Sequence, residues 1–162
     1  MPIGLQPTAA DRSTLPNEPQ AVVEAFLAAL ADHDVDTARA LVDDDILYVN
    51  VGLPAVRGRE QMDKVFALLD RPSSDFEVYM HSISADGKTV LTERTDVLVA
   101  GPLRAQFWVW GRFDVVDGKI VLWRDSFDFL DIVRGTLRGA LAMVVPGLAP
   151  LPPRGDNDPP GR

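Results

Sequence analysis

Two hydrophobic periods divide the chain. Up to residue 69 apolar side chains recur every three or four positions, and from residue 76 onward they alternate. Val22, Val23, Phe26, Leu27 and Leu30 make one helical stripe, with Asn17 as its expected N-cap and Pro19 in its first turn. Asp34 is the expected cap of a second, short helix carrying Val35, Ala38, Leu41 and Val42. A strand is expected over 46–51, with Ile46, Tyr48 and Asn50 on one side and Gly52 and Pro54 ending it. Met62, Val65, Phe66 and Leu69 predict a third helix over 59–70.

After Pro72 the pattern reads as four strands, over 76–83, 89–99, 104–115 and 120–129. Asp86-Gly87, Gly101-Pro102 and Asp117-Gly118 separate them, and Asp-Gly marks a hairpin because glycine accepts positive φ at low cost. The result is a four-stranded antiparallel meander. Residues 130–145 predict a last helix, weakened by Gly135 and Gly139 and closed by Pro146. Helices first and a meander afterwards give an α+β class, with helices covering one face of the sheet. Residues 1–16, with Pro2, Pro7 and Pro16, read as a flexible leader, and 147–162 as a disordered, Pro-rich tail. One domain, 17–146, lies between them.

Three charges break the alternation. Arg94 and Asp96 share a strand face with Val90 and Leu98, since side chains at i and i+2 lie ~7 Å apart on one side. Asp125 likewise shares its face with Val121, Trp123, Phe127 and Phe129. Charges among apolar neighbours are costly unless paired. A two-residue turn at Gly101-Pro102 sets Asp96 opposite Phe107 and Arg94 opposite Val109. A two-residue turn at Asp117-Gly118 sets Asp125 opposite Trp110, on the wrong face. A common site therefore needs one unpaired residue between 110 and 119, with a bulge expected near Gly111.

The chemistry of such a cluster follows from its electrostatics. Burial raises a carboxyl pKa and a nearby cation lowers it, so two acids around one arginine are driven apart. One stays ionised as a base while the other keeps a proton to donate. The Tyr48 hydroxyl and Asn50 amide, i and i+2 on their own strand, can hold a water molecule. Together these groups suit general acid–base hydrolysis without a covalent intermediate. A buried structural ion-pair cluster explains the same spacings.

Composition narrows the class. A chain of 162 residues is long enough for one domain with a core and a pocket. A net charge of −8 argues against nucleic acid and anionic membrane surfaces as partners. The absence of cysteine excludes disulfides and thiolate chemistry. No signal-peptide pattern is evident at the N-terminus, and the apolar run 140–145 is too short to span a bilayer, so no integral membrane segment and a cytoplasmic location are expected. His33 and His81 lack the convergent ligands of a metal site. Trp108 and Trp110, sharing a face with Gln106 and Arg112, suit a dimer surface or core. Residues 140–145 are expected to pack on the subunit or cover the pocket mouth, with a grip on a lipid or a partner as the alternative.

The segments Thr92-Glu93-Arg94-Thr95-Asp96-Val97-Leu98, Trp123-Arg124-Asp125-Ser126-Phe127-Asp128 and Tyr48-Val49-Asn50 resemble the signature segments of the limonene-1,2-epoxide hydrolase family. They stand in the family's order, and the likeness runs over about residues 18–130, with a C-terminal segment more like the mycobacterial members. The resemblance implies a catalytic domain whose strongly curved, mixed, largely antiparallel sheet packs with the N-terminal helices. That is the cone-like fold of nuclear transport factor two and ketosteroid isomerases. It also implies a homodimer, a lipophilic epoxide and water as reactants, and no metal or organic cofactor. Asp125 would take a proton from a water held by Tyr48 and Asn50, Asp96 would protonate the epoxide oxygen, and Arg94 would bridge the two acids, giving a vicinal diol. Leu69, Leu98, Phe107, Val109 and Phe127 map onto the family's substrate-pocket positions, with core packing as the alternative for each. Ser126 departs from the tyrosine common there. Another cone-fold enzyme, of isomerase or polyketide-cyclase type, and a non-catalytic module for a hydrophobic ligand are the competing readings.

Overall fold

The computed structural model describes residues 15–145 and Gly147. All of the expected leader except Leu15 and Pro16, and all of the expected tail except Gly147, lie outside the described residues. Three helices lead the chain or interrupt its first strands: α1 (Pro19–Ala31), α2 (Val35–Ala40) and α3 (Arg59–Leu69). Six strands form one sheet: β1 (Val42–Asn50), β2 (Val56–Arg57), β3 (Ser74–Asp86), β4 (Thr89–Ala100), β5 (Leu103–Val116) and β6 (Lys119–Phe127). A fourth helix, α4 (Phe129–Ala142), follows.

The sheet order is β2-β1-β6-β5-β4-β3. The meander β3–β6 is antiparallel as expected, and β1 joins its β6 edge in parallel, which makes the sheet mixed. Both central turns have two residues, since Ala100 pairs with Leu103 and Val116 with Lys119. Asp117 and Gly118 both take positive φ, 49° and 72°, the conformation that matches the twist of a tight hairpin.

One face of the sheet is buried under the helices. Val22, Val23, Phe26 and Leu27 of α1 and Met62 and Phe66 of α3 pack with Val90, Phe113, Ile120 and Trp123 of the strands. The Phe26 ring meets Phe66, Phe113 and Trp123 edge-on, at 6.3, 6.4 and 5.1 Å between centroids. Burial of each such side chain contributes about 1.5–3 kcal/mol, so this layer fixes the inner face from which the charged side chains project.

Four expectations need correction. Glu18, not Asn17, is the N-cap of α1, and no side chain bonds there. Asn17 instead lies beside the β5–β6 turn, where a Cβ added to Gly118 would stand 2.6 Å from its Oδ1. The register break between β5 and β6 exists, but Asp114 pairs with Leu122 and Val115 with Ile120, so the extra residue is Val121 of β6. Gly111 is paired on both sides and forms no bulge. Phe129 begins α4 instead of ending β6, because Asp128 caps the helix by accepting a 2.8 Å bond from the Leu130 amide.

The last helix has a specific bed. Pairing of β6 with β5 ends at Phe127 and Val109, and α4 runs past the rest of β5. A Cβ at Gly135 would stand 2.7 Å from the Gln106 carbonyl oxygen, and one at Gly139 2.5 Å from that of Arg104. The glycine pair therefore lets helix backbone meet strand backbone. Leu141, Met143, Val144 and Val145 of the apolar run remain at least half exposed, so most of it is left uncovered by the described residues.

Candidate active site

The register assembles the charges row by row. Asp96 stands opposite Phe107 and Arg94 opposite Val109, as turn length alone dictates. With the one-residue shift at Val121, Asp125 falls opposite Gly111, and Gly111 opposite Thr92. On the other side of β6, Asn50 aligns with Asp125 and Tyr48 with Trp123. All these residues share the inner face.

Among the described residues Arg94 is the largest fully buried side chain, with no solvent exposure. Its Nε donates to Asp96 Oδ1 at 2.9 Å, its Nη2 to Asp125 Oδ2 at 2.6 Å, and its Nη1 to Thr92 Oγ1 at 3.0 Å. Its Cζ also lies 5.9 Å from the centroid of the Phe113 ring, a cation–π distance. Asn50 Nδ2 donates to the Tyr48 hydroxyl oxygen at 2.7 Å, leaving the phenolic proton to be donated onward. The Tyr48 ring stacks on Trp123 at 4.1 Å. Among the described residues, Asp125 Oδ1 and Trp123 Nε1 are buried without a hydrogen-bond partner.

Burial is the largest single influence on each titrating group here. It pushes the Asp96 carboxyl up to about 6, opposed by Arg94 and reinforced by the charge of Asp125. Burial also raises Asp125, but Arg94 and the indole N–H of Trp123 both oppose the shift. The Trp123 indole acts on Asp125 as a nearby dipole, without reaching hydrogen-bond geometry. Asp96 thus gains an upward push from its fellow acid while Asp125 gains a downward pull from a neighbouring dipole. The two acids therefore sit in unequal surroundings, although burial raises both. Burial opposes the charge on Arg94, but Asp125 and Asp96 together outweigh it and keep the guanidinium a cation. Burial, with Asp125 behind it, raises Tyr48 far above the ordinary phenol range, so it stays a donor.

The five expected polar residues, Tyr48, Asn50, Arg94, Asp96 and Asp125, thus sit on one patch of the inner face. Of the expected substrate-contacting residues, Phe107, Val109 and Phe127 lie on that face, with Phe107 and Phe127 edge-on at 5.9 Å. Leu98, two residues beyond Asp96, is 39% exposed and stands at the rim. Leu69 is partly buried against the α1–α3 core. Thr92, Gly111 and Trp123 belong to the cluster too, and the polar pattern alone did not single them out. The signal for Gly111 was a glycine inside a strand, which marks a bulge or a close approach. Here it is the approach.

Fold and site define a cone-type α+β protein built round a buried acid–guanidinium–acid triad. A family profile for the limonene-1,2-epoxide hydrolase catalytic domain matches residues 17–138. The chain belongs to that family. It is 53% identical over 128 residues to epoxide hydrolase EphG of Mycobacterium tuberculosis, covering 78% of this chain and 84% of that protein. The solved structure of an M. tuberculosis LEH-like epoxide hydrolase superposes with a TM-score of 0.74 at 51% identity, over 79% of this chain and 96% of the other. A ketosteroid isomerase-like structure from Kribbella flavida shares the fold at 18% identity, TM-score 0.56, over 68% of this chain and 77% of its own.

Proposed function

We propose that Asp125, Asp96 and Arg94 divide the work of a one-step epoxide hydrolysis, with Tyr48 and Asn50 holding the attacking water. The chain is an epoxide hydrolase of the limonene-1,2-epoxide hydrolase type; the roles of its residues are our assignment. The observation that supports them most is the asymmetry of Asp125, whose Oδ2 is tied to Arg94 at 2.6 Å while its buried Oδ1 has no bond among the described residues. That oxygen takes a proton from water. The Asn50 carbonyl oxygen and the Tyr48 O–H orient the water as acceptor and donor.

As the water oxygen bonds to an epoxide carbon, the carbon–oxygen bond of the strained ring breaks, and the departing oxygen takes the proton of Asp96. The product is a vicinal diol. Asp125 is left protonated and Asp96 ionised, with Arg94 between them. Each acid or base contributes about 10²–10⁴-fold in rate. Phe107, Val109, Phe127 and Leu98 supply apolar walls for a lipophilic epoxide, and Leu69 is assigned to the same pocket.

The test is isotopic. Incubation of the native chain with cyclohexene oxide in ¹⁸O-water gives diol carrying one labelled oxygen, also in a single turnover. A first turnover that delivers unlabelled oxygen from a carboxylate would replace this scheme with an ester intermediate. Asp125→Asn and Asp96→Asn each abolish turnover, and retained activity in either removes that residue from its role.

The same proposal includes a homodimer, formed through the outer face of β3–β5. Two observations support it. Trp110 is 57% exposed there. His81, the bulged residue of β3, stacks on Trp108 at 4.8 Å, which sets a broad flat ring surface beside it. No helix among the described residues is long and apolar enough to cross a membrane. The cytoplasmic location expected for the chain is part of this proposal, and fractionation of cells producing a tagged chain checks it.

A further inference from the structure

We propose that Gly111 and Thr92 are positioning residues that hold the Arg94 guanidinium in place between Asp96 and Asp125. The inference rests on the reading of Arg94 as the bridge between two working acids. Its own argument is geometric. Arg94 lies on β4 and Asp125 on β6, with β5 between them. Neighbouring strands are ~4.8 Å apart, so the side chain must cross about 10 Å and lie over β5.

The residue of β5 in the row of Asp125 is Gly111. A Cβ there would collide with Arg94 Nη1, would stand 2.5 Å from Thr92 Oγ1, and would touch Phe113 at 3.0 Å. Arg94 is wholly buried, so the guanidinium has no open side to retreat to. Gly111 is also absent from the residues with positive φ. Its backbone conformation suits any amino acid, and what the position forbids is a side chain.

Thr92 completes the frame. The guanidinium meets one acceptor at each nitrogen, Asp96 at Nε, Asp125 at Nη2 and Thr92 at Nη1. Thr92 is 4% exposed, so no solvent replaces its hydroxyl. Removing that acceptor leaves a buried charged donor unpaired and frees the guanidinium to rotate about its remaining bonds.

The experiment compares Gly111→Ala, Thr92→Val and Thr92→Ser with the native chain by two readouts. One is kcat and KM for cyclohexene oxide; the other is a ¹³C-carboxyl NMR titration of Asp96. Gly111→Ala is expected to lose about 100-fold in kcat with KM little changed, since small misplacements of reacting groups act on that scale. Its Asp96 midpoint rises by about one pH unit as the cation is displaced. Thr92→Val loses about tenfold, and Thr92→Ser, which restores the acceptor, recovers most of it.

Native kcat and a native Asp96 midpoint in both Gly111→Ala and Thr92→Val overturn the proposal, however far their melting temperatures fall. Should Gly111→Ala not fold, the Thr92 pair decides alone, because equal behaviour of valine and serine overturns it. Failure of the hydrolase roles looks different. The native chain then yields no labelled diol, while the titrations still separate the variants.

Discussion

The guanidinium of Arg94 reaches Asp125 across an intervening strand, closing a 2.6 Å contact between residues of β4 and β6. Few side chains span that gap, and arginine, unlike lysine, offers separate nitrogens to face each acid. Removing one partner of a buried ion pair costs about 3–5 kcal/mol, because the other charge is left uncompensated. Arg94→Met leaves two acids in that state. It is expected to lose stability on that scale at pH 7 in urea denaturation and to be inactive. The deficit narrows toward pH 4, where both carboxyls take up protons.

Asp96 makes native stability itself depend on pH. Its carboxyl is pushed from the ordinary 3.8 up to about 6, so between those values the folded state binds more protons than the unfolded chain. Its contribution is full below pH 4 and is lost as pH rises through 6. The difference amounts to about 3 kcal/mol. Asp125 is raised too and steepens the slope in the same direction. Urea midpoints measured from pH 4 to 7 should fall for the native chain and fall less for Asp96→Asn.

The same group sets the rate profile. An acid that must carry its proton into the reaction is lost as it ionises, so kcat/KM is expected to decline as pH rises through about 6. A further decline at lower pH marks protonation of Asp125. A profile flat from acid to alkali would remove both acids from the chemistry.

Much of this cluster was legible before any coordinates, and the reason is the two-residue period of a strand. Arg94 and Asp96 had to share a face, and a two-residue turn at Gly101-Pro102 set both opposite Val109 and Phe107, as observed. The need for one extra residue before Asp125 was equally forced. Its place was not, because an insertion on either strand shifts the register alike, and Val121 of β6 carries it instead of β5. Gly111 was read as the bulge because a mid-strand glycine signals either a kink or a close approach, and nothing local distinguishes them. Asn17 failed as a cap because tertiary contact with the Gly118 turn outranks a local pattern. β2, with only Val56 and Arg57, is too short to show any period.

Gly139 tests whether α4 is held by backbone contact. In an isolated helix Gly→Ala stabilises by about 1 kcal/mol. Here the new Cβ would stand 2.5 Å from the Arg104 carbonyl oxygen, which is backbone and cannot turn aside. Gly139→Ala is therefore expected to lower the melting temperature despite the better helix former. Hydrogen exchange should rise in α4 and along residues 103–108 of β5, and remain native around Arg94. A raised melting temperature would mean that the helix sits on its strand more loosely than described.

Trp110 tests the assembly. It is the most exposed aromatic side chain of the meander, at 57%, and it pairs across the outer face with Ser126. The small Ser126 side chain leaves most of the indole exposed. Trp110→Glu puts a charge at the centre of the proposed contact, where an unpaired buried carboxylate is strongly unfavourable. Sedimentation velocity is expected to show a native dimer and a monomeric variant whose circular dichroism is unchanged. If the variant sediments as the native chain does, the subunits meet elsewhere, and the exposed apolar side of α4 around Leu137 and Leu141 becomes the surface to substitute next.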